Sequence, residues 1–181
     1  IDRDADDHVL EAPEAAADEL QRCVEMGFKG AMVHGMTNGE FLDLPKYWPI
    51  YARAEQLGVP VYFHPAYPHP AVAEAYYKDY LADYPMLARP AWGYTVDAGT
   101  QGVRLVLSGV FEKHPNLKVI LGHLGESIPF QLWRLDASFN RGAGQGKAIA
   151  FRDIFTRNFW MNINDERIEI QWFKKKELAK L

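Results

Sequence analysis

The sequence predicts an α/β fold with a parallel sheet. Short apolar segments of strand length alternate with segments whose apolar residues recur every three or four positions, which is the spacing of a helix. Three of the apolar segments end on a histidine, at His34, His64 and His123. Such alternation is typical of parallel strands joined by right-handed crossovers. About four strands can be counted, so a small open sheet and an incomplete barrel both stay open at this stage.

The order of the elements follows from periodicity and from the residues that begin and end them. A helix is predicted at 12–27, because glycine at 27 can adopt the left-handed conformation that commonly ends a helix. A second helix is predicted to have Pro45 in its first turn and to end at Gly58. The predicted strands are 28–34, 60–64, 117–121 and 159–163. The other predicted helices are 45–57, a short one at 73–81 within the long connection 65–93, a single helix at 94–112, and then 128–139 and 151–157.

Composition restricts the class of protein. The 181 residues are 48% hydrophobic, enough for one domain with a core, and Lys+Arg 20 against Asp+Glu 24 gives a net charge of −4. No basic stripe is present, so nucleic acid is not an expected partner. No apolar stretch is long enough for a membrane span and the acidic start is unlike a signal peptide, so we expect no membrane partner and a cytoplasmic location. Cys23 is the only cysteine, and its place on an apolar helix face predicts packing rather than nucleophilic chemistry.

Histidines at the ends of strands are the strongest indication of a site. A buried apolar run ends at Leu121 and continues as Gly122, His123, Leu124, Gly125 and Glu126, and the two glycines allow a sharp turn and a close approach to a ligand. Because the carboxyl ends of parallel strands meet at one edge, His64 and His123 are predicted to share a pocket there. The alternative for each is a packed histidine without chemistry.

Several segments together carry a family resemblance. They are residues 61–65 (Val-Tyr-Phe-His-Pro), 90–94 (Pro-Ala-Trp-Gly-Tyr), 103–115, 121–126 (Leu-Gly-His-Leu-Gly-Glu) and 133–136 (Trp-Arg-Leu-Asp). In this order and spacing they resemble the amidohydrolase-related metal-dependent decarboxylases, the family of γ-resorcylate, 5-carboxyvanillate and aminocarboxymuconate semialdehyde decarboxylases. The resemblance implies a partial TIM (β/α)8 barrel of the metal-dependent hydrolase type over residues 1–164, followed by a charged tail at 165–181.

The resemblance also implies roles for individual residues. His64 matches the histidine that binds the catalytic divalent ion, His123 matches a histidine that acts in catalysis beside that ion, and Arg134 matches the arginine that binds the substrate carboxylate. These roles suit neutral imidazole as a metal ligand and guanidinium as a two-pronged partner of carboxylate. Glu126 is expected to orient His123, with stabilisation of a helix dipole as an equally open alternative.

Three further residues are weaker candidates. Trp92 or Tyr94 is expected to stack on an aromatic substrate, although plain packing explains either ring equally well. His34 ends another strand and is a candidate to face the same pocket.

The implied function is non-oxidative decarboxylation of a hydroxylated aromatic or related unsaturated carboxylic acid. The expected cofactor is a divalent metal, zinc first and manganese as the alternative, the expected partner is the small carboxylic acid substrate, and a homodimer or homotetramer is expected. A metal-dependent hydrolase of an ester, lactone or amide stays open, as does an inactive fragment or assembly module. The family's first-strand Glu-x-His or His-x-His pair and its eighth-strand aspartate have no counterpart in this sequence. The chain alone is therefore expected to bind metal weakly.

Overall fold

Four short parallel strands lie side by side in chain order. The computed structural model describes residues 12–140 and 146–161, and there the strand order is β1 (Ala31–His34), β2 (Pro60–His64), β3 (Lys118–Leu121) and β4 (Phe159–Met161). His34 is opposite His64, and Phe63 is opposite Leu121. The carboxyl ends of the strands therefore meet at one edge of the sheet, as predicted for strands 28–34, 60–64 and 117–121.

Helices connect the strands. They are α1 (Pro13–Glu25), α2 (Trp48–Leu57, preceded by the 3₁₀ turn Pro45–Tyr47), α3 (Pro70–Tyr76), α4 (Gly93–Leu107), α5 (Val110–Lys113), the one-turn segment α6 (His123–Glu126), α7 (Ile128–Asn140) and α8 (Phe151–Asn158). Gly58 ends α2 in the left-handed conformation (φ 69°), the role that its sequence position predicts. The predicted α/β class with a parallel sheet is confirmed.

Most of the helices pack on one face of the sheet, while α3 belongs to a separate small cluster. Val33, Phe63 and Leu121 are buried in the main hydrophobic cluster together with residues of α2, α4 and α7. Full burial of such a side chain contributes about 1.5–3 kcal/mol relative to leaving it exposed. Side chains alternate along a strand, so the opposite face carries His34 and His64, which are only partly buried. The histidines that end β1 and β2 therefore lie on the face of the sheet that these helices leave uncovered.

Several predicted boundaries were wrong for identifiable reasons. The first strand begins at Ala31, not Phe28, whose ring is exposed. The predicted helix 94–112 is two helices, because Gly109 adopts φ 89° between α4 and α5. The predicted helix 73–81 is 70–76, with Pro70 in its first turn and His69 Nδ1 accepting from the Ala71 amide. Residues 162–163 of the predicted last strand, and the charged tail 165–181, lie outside the described residues.

The structure describes the surroundings of Cys23 and the lengths of the helices. Cys23 is half-buried and its thiol lies 3.4 Å from Glu19 Oε1, and partial burial, aided by that contact, raises the pKa of the thiol. A raised pKa disfavours the thiolate, which is the nucleophilic form of cysteine. Within 12–140 and 146–161, no helix has both the length and the apolar character that a membrane span requires.

Candidate active site

His64 ends β2 with one ring nitrogen fixed by the backbone. Its Nδ1 lies 2.8 Å from the carbonyl oxygen of Pro65. A carbonyl oxygen only accepts, so Nδ1 donates, and in the neutral ring the lone pair is on Nε2. Histidines that bind metals typically donate their other ring N–H to a backbone carbonyl or carboxylate in this way.

His34 lies beside His64 at the same edge. The two rings are in register on neighbouring strands, with centroids 4.8 Å apart and planes 54° apart. Tyr62 contacts the His64 ring edge-on at a centroid distance of 5.9 Å. The structure therefore brings His34 and His64 together, as expected if His34 faces the site.

His123 follows β3 and is paired with a buried carboxylate. Its Nδ1 lies 2.7 Å from Glu126 Oε1, and the His123 side chain is 42% exposed while that of Glu126 is fully buried. This is the contact expected if Glu126 orients His123. Glu126 Oε2 is buried and has no hydrogen-bond partner among the residues described. An orphaned carboxylate oxygen in a buried position is unusual in a stable fold, so it marks this turn as a candidate functional site.

The His123 turn has a left-handed backbone throughout. Its φ angles are 41° at His123, 62° at Leu124, 76° at Gly125, 52° at Glu126 and 66° at Ser127. Left-handed helical conformation costs about 1–2 kcal/mol for each residue other than glycine, so four such residues store several kcal/mol. Strain of this kind persists only where surrounding contacts impose it, and it concentrates at functional sites.

Only one of the two flanking glycines uses its conformational freedom. Gly125 has φ 76°, whereas Gly122 has φ −69°, an angle open to any residue. The sequence therefore predicted a sharp turn at 122–125 but missed its left-handed conformation, which no residue type among His, Leu, Glu and Ser favours.

Sequence reasoning also missed a buried polar pair on α4. Asp97 is 7% exposed, and its Oδ2 accepts from Gln101 Nε2 at 2.8 Å. Burial raises the pKa of Asp97, and the hydrogen bond from Gln101 offsets this only in part. The available signal was the i,i+4 spacing of these two polar residues on a helix face that otherwise consists of glycine, alanine, leucine and valine. Asp97 lines a cavity of about 230 Å³ with residues of the loops after β1 and β2, among them Gly39 and His69, while His64 and His123 are not among its lining residues.

Arg134 and Trp92 lie apart from these contacts. Arg134 is exposed on α7, six residues after the helix begins and thus about 9 Å along its axis. Trp92 is exposed at the start of α4. The pairs that the structure forms are therefore His34 with His64 and His123 with Glu126.

The donor chemistry fits a metal ion in part. His64 has the tautomer of an imidazole ligand, and His34 stands next to it. A catalytic zinc site normally takes three protein ligands, and no group of three His, Cys, Asp or Glu in the described ranges is arranged to hold an ion. These residues supply part of a ligand set.

Comparison with known proteins assigns the class. The Amidohydrolase family matches residues 7–146, and the chain belongs to this family. It is 38% identical over 168 residues to γ-resorcylate decarboxylase of Rhodococcus jostii, covering 84% of this chain and 49% of that enzyme. The chain thus spans about half the length of this relative.

Solved structures agree with the fold. A 2,6-dihydroxybenzoate decarboxylase from Rhizobium matches with a TM-score of 0.73 and 36% identity, covering 84% of this chain and 49% of that one. A dihydroxybenzoic acid decarboxylase from Polaromonas, with bound manganese and the inhibitor 2-nitroresorcinol, matches with a TM-score of 0.72 and 36% identity over 82% of this chain and 46% of that one. The predicted family resemblance is confirmed, and with it the partial-barrel class of the fold.

Proposed function

We propose that this chain carries the metal-binding and proton-handling histidines of a non-oxidative decarboxylase that acts on a hydroxylated aromatic carboxylic acid. The observation that carries the proposal is the sheet edge where His64 and His123 follow neighbouring parallel strands, each with Nδ1 bound to an oxygen acceptor. The similarity to decarboxylases of dihydroxybenzoates supports the choice of reaction and substrate class.

His64 would hold a divalent metal through Nε2. His34, whose ring centroid lies 4.8 Å from that of His64, would add a ligand or pack beside it. When bound, the ion would stabilise negative charge on the substrate's oxygens as a Lewis acid. The manganese in the Polaromonas structure supports manganese at least as well as zinc.

The other site residues would bind the substrate and transfer a proton to it. In the reaction the bond between the ring and the carboxylate breaks, carbon dioxide leaves, and the ring carbon gains a proton. His123, with Glu126 accepting from its Nδ1, would handle that proton, while Arg134 would bind the carboxylate and Trp92 or Tyr94 would stack on the ring. Arg134 and Trp92 are the less supported members, because neither forms a hydrogen bond, an ion pair or a ring contact with these histidines in the part of the chain that the structure describes.

Two substitutions test the proposal in the intact enzyme, meaning a protein that carries this chain together with the rest of the barrel. His123→Asn is expected to leave metal content unchanged. It is expected to lower the rate of carbon dioxide release from 2,6-dihydroxybenzoate about 10²-fold or more, which is the scale of general acid–base catalysis. His64→Asn is expected to lower metal content itself. Each variant is the control for the other, with metal measured by mass spectrometry. Cleavage of an ester or lactone in place of carbon dioxide release would overturn the proposal in favour of a hydrolase, and a metal-free, inactive protein would favour an assembly module.

We also propose a homodimer or homotetramer. Phe130 and Trp133 are large, exposed apolar residues close together on α7, and exposed apolar patches favour association. Light scattering over a concentration series tests this, and a monomer at micromolar concentration would contradict it. The cytoplasmic location stays a prediction.

A further inference from the structure

Helix α4 approaches the His123 turn at a point where only a hydrogen atom fits. A Cβ added to Gly99 would lie 2.9 Å from the backbone carbonyl oxygen of Glu126. Gly99 itself sits within the regular helix Gly93–Leu107, where alanine is intrinsically favoured over glycine. The glycine is therefore required by the close approach of the turn and not by the helix backbone.

Gly102, one turn further along α4, offers a matched comparison. A Cβ there would lie 2.8 Å from Ile128 Cδ1 and 3.1 Å from Leu121 Cδ1. Both atoms are the ends of side chains, which are buried but can shift by rotation about their own bonds, whereas the carbonyl oxygen of Glu126 can move only with the backbone of the turn. Alanine at 102 would thus contact side-chain atoms, whereas alanine at 99 would contact a backbone atom of the turn.

The turn is also contacted by β4. A Cβ on Gly125 would lie 2.6 Å from Met161 Sδ and 2.9 Å from Met161 Cγ. The Met161 side chain therefore packs directly against the backbone of Gly125, in the middle of the five left-handed residues. Two elements distant in sequence, α4 and β4, meet the same strained turn.

We infer that Gly99 and Met161 are positioning residues for His123, because their contacts impose the left-handed conformation of residues 123–127. In that conformation the Glu126 carboxylate is buried and accepts from His123 Nδ1. If either contact is altered, the turn relaxes toward right-handed or extended angles, and Glu126 no longer reaches the imidazole. The catalytic part of this inference rests on the proposed function, while the structural part does not.

Histidine tautomers in the 181-residue chain give a readout that needs neither metal nor substrate. The chain contains six histidines, and the ¹⁵N signals of His123 are assigned by their loss in His123→Asn. We expect the Nδ1–H tautomer in the unaltered chain, a mixture with the Nε2–H tautomer in Gly99→Ala, and no change in Gly102→Ala. Equal spectra for Gly99→Ala and Gly102→Ala, both folded, would overturn the inference.

Met161→Ala keeps the test decisive if Gly99→Ala does not fold, because it removes atoms and adds none. Its matched control is Met32→Ala, the same truncation at a comparably exposed methionine of β1. The His123 signals are expected to change in Met161→Ala alone. An unchanged His123 spectrum in Met161→Ala would overturn the inference.

The kinetic test separates positioning from general stability. In the intact enzyme, Gly99→Ala is expected to lower kcat about 10- to 100-fold, the usual scale for a misplaced catalytic group, with KM and metal content unchanged. Gly102→Ala is expected to keep full kcat. If the unaltered protein releases no carbon dioxide, the proposed function fails while the spectra still decide the positioning claim. If it does and Gly99→Ala keeps full kcat, the positioning claim fails alone.

Discussion

The turns after β2 and β3 hold the same side chain in two different ways. After β2, His64 donates to the backbone carbonyl of the next residue, within an ordinary chain conformation. After β3, His123 donates to the carboxylate of Glu126, three residues on, across a left-handed turn that depends on contacts from α4 and β4.

The difference matches the two roles proposed for these histidines. A neutral carbonyl partner accepts from one ring nitrogen, and in the neutral ring this leaves the lone pair on the other nitrogen, as a metal ligand requires. A carboxylate partner fixes the tautomer and also stabilises the ring when it gains a second proton during a reaction. The more costly turn is therefore the one assigned to proton handling.

Replacing the charge at the second turn is expected to have the largest effect. Glu126→Gln keeps an oxygen that can accept from His123 Nδ1 but removes the carboxylate charge, so activity of the intact enzyme is expected to fall about 10- to 100-fold with metal content unchanged. In the 181-residue chain the same change is expected to raise the melting temperature, because a buried carboxylate whose Oε2 has no hydrogen-bond partner among the described residues is replaced by a neutral amide.

The opposite results would show that the turns after β2 and β3 act on their histidines in the same way. Full activity in Glu126→Gln would show that His123 needs a fixed tautomer only, as His64 does. A lower melting temperature would show that the buried charge of Glu126 is compensated.

Relief of backbone strain is expected to have a smaller effect. Ser127→Gly removes the side-chain penalty at φ 66° on an exposed residue, so the free energy of unfolding is expected to rise by about 0.5–1 kcal/mol. Gly58→Ala is the reverse control, because φ there is 69° and a Cβ would meet nothing within 4 Å. It is expected to lose about 1 kcal/mol in urea unfolding. A loss in Ser127→Gly would show that the serine side chain stabilises the turn.

The smallest expected effect concerns pH and Asp97 on α4. Burial raises the pKa of Asp97 above its ordinary value of 3.8. Its stabilising contribution is therefore present below pH 3.8 and is lost as pH rises through the raised folded-state pKa. Asp97→Asn is expected to be the more stable protein at pH 7, with the difference shrinking toward pH 4 in urea unfolding. A difference independent of pH would show that Asp97 titrates alike in the folded and unfolded chain.

The sequence predicted the sheet edge well because strand ends are local features. β2 was predicted at its observed bounds, since Val61, Tyr62 and Phe63 form an uninterrupted apolar run before His64. The pairing of His34 with His64 then follows from parallel register alone. Gly109 breaks the predicted helix 94–112 although the apolar spacing continues past it, because periodicity does not report a positive φ.

The geometry of the His123 turn could not be predicted from local sequence. Leu124, Glu126 and Ser127 have no preference for left-handed angles, and tertiary contact overrides their preferences. Gly99 lies in a different helix, and nothing in its neighbourhood in the chain indicates that Glu126 approaches it. A role for Glu126 in orienting His123 was one of two open expectations, but the close approach of α4 to Glu126 was visible only in three dimensions.

The close approach of Gly99 to Glu126 has a consequence for the order of folding. The left-handed turn has no local preference to form, so it can be completed only after α4 has docked against β3. We therefore expect its contacts to be absent from the rate-limiting transition state. Destabilising substitutions within residues 123–127 should then accelerate unfolding, stabilising ones should slow it, and neither should change the refolding rate. On this view His123, which follows β3, is the last part of the sheet edge to be assembled and the first to be lost.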